Sequence, residues 1–511
     1  MTVARVFLLL ASCLVLGACG EESAPEDDRP EPAVEAPNIV FVLLDDATKA
    51  QYTAETMPFT WRYMRRNATT FTDYIVTSPL CCPSRATLIT GQYGHNNGVL
   101  SNSYSDLEDP GNVLPAWLQE AGYRTAHVGK FLNNYEKALD DPASPTPGWD
   151  EWFTELEPQG YYDYAISDNG TVEEYGTSDR DYLTRVLSEH ATGLIAELAP
   201  DETPFYLAFE PFAPHTGGGR GGECDGAAVP DPRDEGRFEN AKVPASEAIG
   251  EVDSSDKPSF MKRLPRRTPS REAKADGRYR CALASLRGAD RAIEKIVGAL
   301  EEEGVLGETA IIFSSDNGLF YGEHGIPGEK QFPYREAYEV PLQIALPNPP
   351  AKKQPDLVDL PVANIDVAPT VLELVGGEPC PAEGACRVLD GRSLLPLLLD
   401  DAEARDWKGR ARGIELNLPA NNEPYDRVCE YYGVRAGRWV YVQHMTAARS
   451  GAECEPVSDE ELYDLRKDPG QLDNASGELP AVETRLRRLA RRIRTCEGVS
   501  AVGKTTNPCD Q

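Results

Sequence analysis

The chain has 511 residues, 41% hydrophobic and 8% aromatic, an ordinary globular composition in a length that calls for a large domain and a smaller one. Its formal net charge is −32, from 83 acidic against 51 basic side chains. A surface that acidic repels nucleic acid and other polyanions at long range, which excludes nucleic acid as a partner. An anionic substrate would need a locally basic site to overcome that field.

Arg5 precedes an apolar run, Val6 to Leu16, too short to span a membrane and of the length of a signal-peptide core. Leu16-Gly17-Ala18-Cys19 resembles the bacterial lipobox, which makes residues 1–19 an export signal and Cys19 the lipidated anchor. A plain signal peptide cut nearby is the alternative. Residues 20–37, rich in Glu, Asp, Pro and Ala, read as a disordered tether.

From Asn38 to about Gly376, short apolar runs alternate with helical patterns, the signature of an α/β domain with a mostly parallel sheet. Asn38–Leu44 is continuously apolar, as a strand buried on both faces must be. Phe205–Phe209 and Ala310–Ser314 read the same way, and Tyr123–Val128 more weakly. Leu286, Ala289, Ile293, Ile296, Val297 and Leu300 form one helical stripe, stopped by Gly304. Residues 216–280 show no clear periodicity and read as a long insertion or loop. Lys257, Lys262, Arg263, Arg266, Arg267 and Arg271 cluster there, either lining the rim of a pocket or decorating a solvated loop. Beyond Cys386 the texture changes. Residues 433–435 and 438–442 flank Ala436-Gly437 as a hairpin, and a basic amphipathic helix over about 481–494 packs Leu486, Leu489 and Ile493 inward, its arginines a solvated face.

Each strand-like run ends in a polar cluster: Asp45-Asp46, Gly129-Lys130, Glu210 to His215, and Asp316-Asn317. In an open parallel sheet, ligands bind outside the carboxyl ends of the strands, so these clusters should converge on one crevice. Carboxylates and an amide oxygen gathered there would need a hard cation, Ca²⁺ or Mg²⁺ rather than zinc.

Between the first two clusters lies Cys81-Cys82-Pro83-Ser84-Arg85-Ala86-Thr87-Leu88-Ile89-Thr90-Gly91. Pro83 suits a first helical turn, which puts residue 81 at a helix N-terminus, where an anion is favoured. Cys-x-Pro-Ser-Arg followed by Thr-Gly resembles the signature of the type I, formylglycine-dependent sulfatases. The resemblance implies that Cys81, not Cys82, is oxidised to Cα-formylglycine by a separate generating enzyme. It implies further that Asp45, Asp46, Cys81, Asp316 and Asn317 hold the metal. Arg85, Lys130, His215 and Lys330 match sulfate-binding and acid–base positions. The implied fold is an alkaline-phosphatase-like α/β sandwich with a large mostly parallel sheet (38–385), then a small C-terminal domain with an antiparallel sheet and a helix (386–511).

In the implied mechanism a hydrated aldehyde at 81 attacks sulfur and displaces the alcohol, and its second hydroxyl then expels the sulfate. Asp316 activates the nucleophile, and His215 protonates the leaving oxygen. The motifs 81–85 and Gly129-Lys-Phe-Leu-Asn133 look closest to the branch of N-acetylglucosamine-6-sulfatases and extracellular heparan 6-sulfatases. Many relatives carry a histidine two or three residues after the lysine, where this chain has Leu132 and Asn133. His95 and His324 each have either a pocket or a structural role, whereas His127, His190 and His444 read as structural. A phosphoester or phosphonate hydrolase of the same fold and a lapsed glycan-binding lipoprotein are the other readings.

With Cys13 in the signal, Cys19 the anchor and Cys81 reserved, nine cysteines remain of twelve. Cys224 with Cys281, Cys380 with Cys386, Cys429 with Cys454 and Cys496 with Cys509 are candidate disulfides that leave Cys82 alone and suit an oxidising compartment.

Overall fold

The structure is a computed structural model that describes residues 36–219, 221–251, 253–264, 268–326, 328–347, 354–399, 406–418, 428–448, 454–499 and 507–510. The export signal, Cys19 and nearly all of the tether lie outside the described residues, as do Arg266 and Arg267.

Four strands carry the site: β1 (Asn38–Leu44), β2 (Arg124–Gly129), β3 (Phe205–Glu210) and β4 (Thr309–Ser315). They run parallel in the order β4, β1, β3, β2 at the centre of a ten-stranded sheet. Glu151–Glu155 continues the sheet in parallel beyond β2. On the other side Leu342–Ala345 pairs antiparallel with β4. The apolar run of β1 serves both faces: Ile39, Phe41 and Leu43 enter one core cluster, while Val40, Val42 and Leu44 enter the other. Helices cover both faces. Helix α1 (Cys81–Thr90) packs into the first cluster, and all of its residues are buried. Helix α2 (Pro269–Glu302) places Leu286, Ala289, Ile293, Ile296, Val297 and Leu300 in the second.

Helix α2 begins inside the segment read as a loop through 280. Its first turns are polar and carry no apolar stripe, so periodicity misses them. The terminus was nonetheless signalled by Thr268-Pro269, since the Thr268 side chain accepts from Arg271 N and Pro269 opens the helix. The Cys224–Cys281 disulfide ties the preceding loop to this helix.

The C-terminal sheet is antiparallel, in the order Ala411–Asn417, Val428–Ala436, Trp439–Ala448, Cys454–Pro456, with Glu460–Asp464 also on the third strand. The expected hairpin turns at Gly437, which adopts φ +57°. Helix α3 (Pro480–Ile493) buries Leu486, Ala490 and Ile493 in the same cluster that holds α1, so one apolar core runs from the large sheet into the small one. The remaining three disulfides pair as spacing suggested, leaving Cys81 and Cys82 as buried free thiols among the described residues.

Candidate active site

Register brings the polar clusters together. Leu44 lies opposite Ser315 and Gly129 opposite Glu210, so Asp45 and Asp316 leave adjacent strands, and Lys130 leaves the strand beyond β3, at about one level of the sheet. Gly129 is required there: at φ +126° a Cβ would stand 2.1 Å from the carbonyl oxygen of Glu210. Asp46 turns away at φ 67°, a left-handed conformation that aspartate tolerates better than most residues.

Cys81 and Arg85 are one helical turn apart on the same side of α1, the first at its N-terminus. The Cys81 Sγ lies 3.6 Å from Asp45 Oδ1, and Lys330 Nζ approaches it to 2.9 Å while donating to Asp46 Oδ1 at 2.6 Å. Lys130 Nζ donates to Asp45 Oδ2. Arg85 is held on three sides: Nε donates to Asp316 Oδ2 at 2.9 Å, and Nη1 to Glu210 Oε2 and Lys130 O, both at 2.6 Å. Its Nη2 has no hydrogen-bond partner, although Asp45 Oδ2 is 3.8 Å away. His215 donates from Nδ1 to the Thr216 carbonyl at 2.7 Å, which leaves the Nε2 lone pair 3.6 Å from Asp46 Oδ2.

The electrostatics are those of a site built for a cation. Asp45, Asp46, Asp316 and Glu210 against Arg85, Lys130 and Lys330 leave one negative charge in excess, which a divalent ion would turn into one positive charge. Burial would raise the Asp45 carboxyl, but Lys130, His215, Arg85 and Lys330 win and hold it well below the usual carboxylate range. Asp316 moves the other way, pushed up by burial and by the Asp45 charge. Burial, with the Lys130 and Lys330 charges, lowers His215 to about 4, so at neutral pH the imidazole is neutral and its Nε2 is bare.

One oxygen each from Asp45 and Asp46, the Cys81 sulfur and a His215 nitrogen lie within 4.8 Å of one another. The buried Asn317 Oδ1 has no partner while its Nδ2 donates to Asp46 Oδ1 at 2.6 Å, so an amide oxygen is also in reserve beside the carboxylates. Oxygen donors of this kind fit a hard divalent cation.

The sulfatase family matches residues 37–377, about two thirds of the chain, and the C-terminal model of N-sulphoglucosamine sulphohydrolase matches residues 322–497. The chain belongs to the sulfatase family. As a sulfatase it is a sulfuric ester hydrolase. It is 28% identical over 469 residues to human N-acetylglucosamine-6-sulfatase, covering 86% of this chain and 80% of that one. It is 29% identical over 510 residues to the arylsulfatase of Chlamydomonas reinhardtii, covering 91% and 75%. Among solved structures, a protein in complex with its substrate D-glucosamine-2-N,6-O-disulfate superposes with a TM-score of 0.69 at 23% identity, over 89% of this chain and 97% of that one. The fold is the alkaline-phosphatase-like sandwich that the motifs implied.

Every residue singled out in the sulfatase sequence as metal-binding or catalytic reaches this pocket, Asp316 with both carboxyl oxygens already accepting hydrogen bonds. Its Oδ1 accepts from Asp46 N at 3.1 Å and Asn317 N at 2.7 Å, and its Oδ2 from Arg85. Two residues were given no role. Glu210 was read only as the start of the polar cluster after Phe205–Phe209, yet it anchors Arg85. Glu155, at the end of the strand beside β2, is fully buried with both carboxyl oxygens unpartnered, and burial pushes it well above the usual range against the pull of Lys130. The two histidines left open are structural. His95 Nδ1 pairs with Glu415 Oε2 at 2.8 Å, and His324 Nδ1 with Glu251 Oε2 at 2.7 Å while stacking on Tyr334. Lys257 does not line a rim. It is buried, with Nζ on Tyr463 Oη at 2.9 Å, on the Gln471 carbonyl, and 3.4 Å from Glu251 Oε1.

Proposed function

We propose that this sulfatase hydrolyses the sulfate ester of a sulfated amino sugar such as 6-sulfated N-acetylglucosamine. Residue 81 acts as Cα-formylglycine, and Asp45, Asp46, Asp316 and Asn317 hold a divalent cation, Ca²⁺ or Mg²⁺. The observation that carries the reading is the surroundings of Cys81: a buried helix N-terminus touched by Lys330 on one side and Asp45 on the other.

The thiol itself is a poor nucleophile there. Burial pushes its pKa up to about 12, with Lys130 and Lys330 offsetting only part of the rise, so about one thiol in 10⁵ is ionised at neutral pH. Formylglycine would supply a hydrated aldehyde, two hydroxyls in place of one unreactive thiol. A divalent cation would supply Lewis-acid stabilisation of charge on the sulfate oxygens.

The remaining work falls to the chain. Lys130, Lys330 and the unpartnered Arg85 Nη2 offer donors to a sulfate group seated over residue 81, fixed before the substrate arrives. Glu210 and Asp316 keep the Arg85 guanidinium in plane. A bound sulfate anion would raise the affinity of His215 for a proton, which Nε2 takes from solvent water and passes to the leaving oxygen.

The four disulfides support an oxidising compartment, so we place the protein outside the cytoplasm, anchored by lipid at Cys19, after maturation by a formylglycine-generating enzyme. No helix among the described residues is long and apolar enough to cross a membrane.

Mass spectrometry of the tryptic peptide containing residue 81, from protein made in its own host, tests the nucleophile. An aldehyde or its hydrate is expected, and an intact cysteine would remove the mechanism. Turnover of N-acetylglucosamine-6-sulfate against a matched phosphate monoester and phosphonate monoester tests the substrate. Faster cleavage of either phosphorus ester would move the assignment to that chemistry.

A further inference from the structure

Helix α3 carries Arg485, Arg487, Arg488, Arg491 and Arg492 against a single carboxylate, Glu483, and is therefore a basic segment in a chain of net charge −32. Its apolar side is spent on the core, which leaves the arginines on the outside. Arg487 is neutralised by Glu460 and Glu483. Arg488, Arg491 and Arg492 are exposed, and none of them pairs with a carboxylate among the described residues.

These three line a groove of about 420 Å³ together with Arg487, Thr495 and Asn507. The groove has a constructed far wall. The Cys496–Cys509 disulfide folds the tail back, and Asn507 Nδ2 donates to the carbonyls of Arg492 at 2.8 Å and Thr495 at 3.0 Å. Basic residues in a last turn ordinarily complement the helix dipole. Here Asn507 already covers one of those carbonyls, that of Arg492, and like charges at i, i+3 and i+4 repel one another. Among the described residues no carboxylate lines the groove to relieve them.

We propose that this groove is an anion-binding site, apart from the catalytic pocket, that takes sulfate or carboxylate groups of a polyanionic glycan chain. Guanidinium forks match both groups in two-point geometry. Among the described residues the lining of arginine, threonine and asparagine offers no aromatic face for stacking bases and no apolar side chain for insertion into a membrane, which favours a glycan over single-stranded nucleic acid or a lipid surface. At physiological ionic strength charges more than about 8 Å away are largely screened, so the local cluster outweighs the acidic remainder. The assignment rests on sulfatase activity, not on the amino sugar reading, and a glycan held here would keep sulfated chain near the enzyme.

Binding of size-fractionated heparin to the full chain, measured over a salt series, tests it. Replacing Arg488→Ser, Arg491→Ser and Arg492→Ser together should weaken binding roughly tenfold or more and reduce the slope of log K against log salt by about 2. The control, Arg62→Ser, Arg65→Ser and Arg66→Ser on an exposed helix face, makes the same charge change and should leave heparin binding near the parent's. Turnover of 4-nitrophenyl sulfate should be unchanged in both. Equal losses in the two triple variants, or no heparin binding by the parent, would overturn the site. Loss of single-stranded DNA or phosphatidylserine-vesicle binding in the groove variant, with heparin binding intact, would overturn the glycan assignment. Arg488→Glu alone repeats the test should the triple variant unfold. A cysteine found intact at residue 81 would sink the mechanism and leave this binding result standing.

Discussion

Lys330 Nζ lies 2.9 Å from Cys81 Sγ and 2.6 Å from Asp46 Oδ1, joining residues that are 249 and 284 positions away in the chain. The ammonium therefore sits between the proposed nucleophile and a proposed metal ligand, where charge develops during sulfuryl transfer. Lys330→Ala should lower kcat/KM for an aryl sulfate by about 10²–10³, the size of a lost preorganised donor. Lys330→Arg should recover only part, because a planar fork does not fit a single-point site. Full activity in Lys330→Ala would remove it from the catalytic set.

Glu210→Gln keeps the shape of the side chain and removes the charge that meets Arg85 Nη1 at 2.6 Å. A buried arginine with one fewer anionic partner costs stability, about 2–3 kcal/mol, read as a fall in the urea midpoint. Because Arg85 also loses a fixed orientation, kcat should drop by about tenfold with a smaller change in KM. An unchanged kcat would make Glu210 a structural partner only.

Removal of divalent ions should lower Tm, and Ca²⁺ should restore it. Four carboxylates against three cations leave one carboxylate charge unmatched without the ion, and an ion at 100 times its Kd contributes about 2.7 kcal/mol. Asp45→Asn/Asp316→Asn leaves Arg85, Lys130 and Lys330 facing only Asp46 and Glu210, so its Tm should fall below that of the chelated parent, and Ca²⁺ should no longer raise it. A chelator-insensitive parent would contradict the metal assignment.

His95 should stabilise the protein in a pH-dependent way. Burial alone would lower its pKa, but the Glu415 charge and hydrogen bond raise it to about 9. The protonated pair is then fully stabilising below about pH 6.5 and fades as pH rises through 9. Thermal melts of the parent and His95→Gln should differ most near pH 6, by about 3 kcal/mol, and converge above pH 9. A difference that does not change with pH would mean that the imidazole is neutral throughout.

Lys257→Ala separates burial from substrate contact. The ammonium sits beneath the small sheet beside Glu251, with Tyr463 and the Gln471 carbonyl as acceptors, so its loss should cost about 3 kcal/mol of stability. Relative activity on a sulfated oligosaccharide and on a small aryl sulfate should stay the same. A selective loss on the oligosaccharide would return this lysine to the pocket rim.

Sequence by itself determined the parts of this sulfatase that local pattern encodes. Continuous apolar runs marked the parallel strands, because a strand covered on both faces has no polar position to spare. Polar clusters at the ends of those runs marked the crevice, and the Cys81 to Gly91 motif marked the family and the proposed nucleophile. Only the tertiary structure decided partners across long separations. It set Arg85 against Glu210 and Asp316, turned His95 toward Glu415 and away from the pocket, and buried Lys257 under the C-terminal sheet. It also gathered Arg488, Arg491 and Arg492 with Asn507 into one groove. The physical reason is the same in each case: a charged side chain carries no periodic signal of its own, and whether it is solvated or paired depends on which distant element the packed core brings beside it.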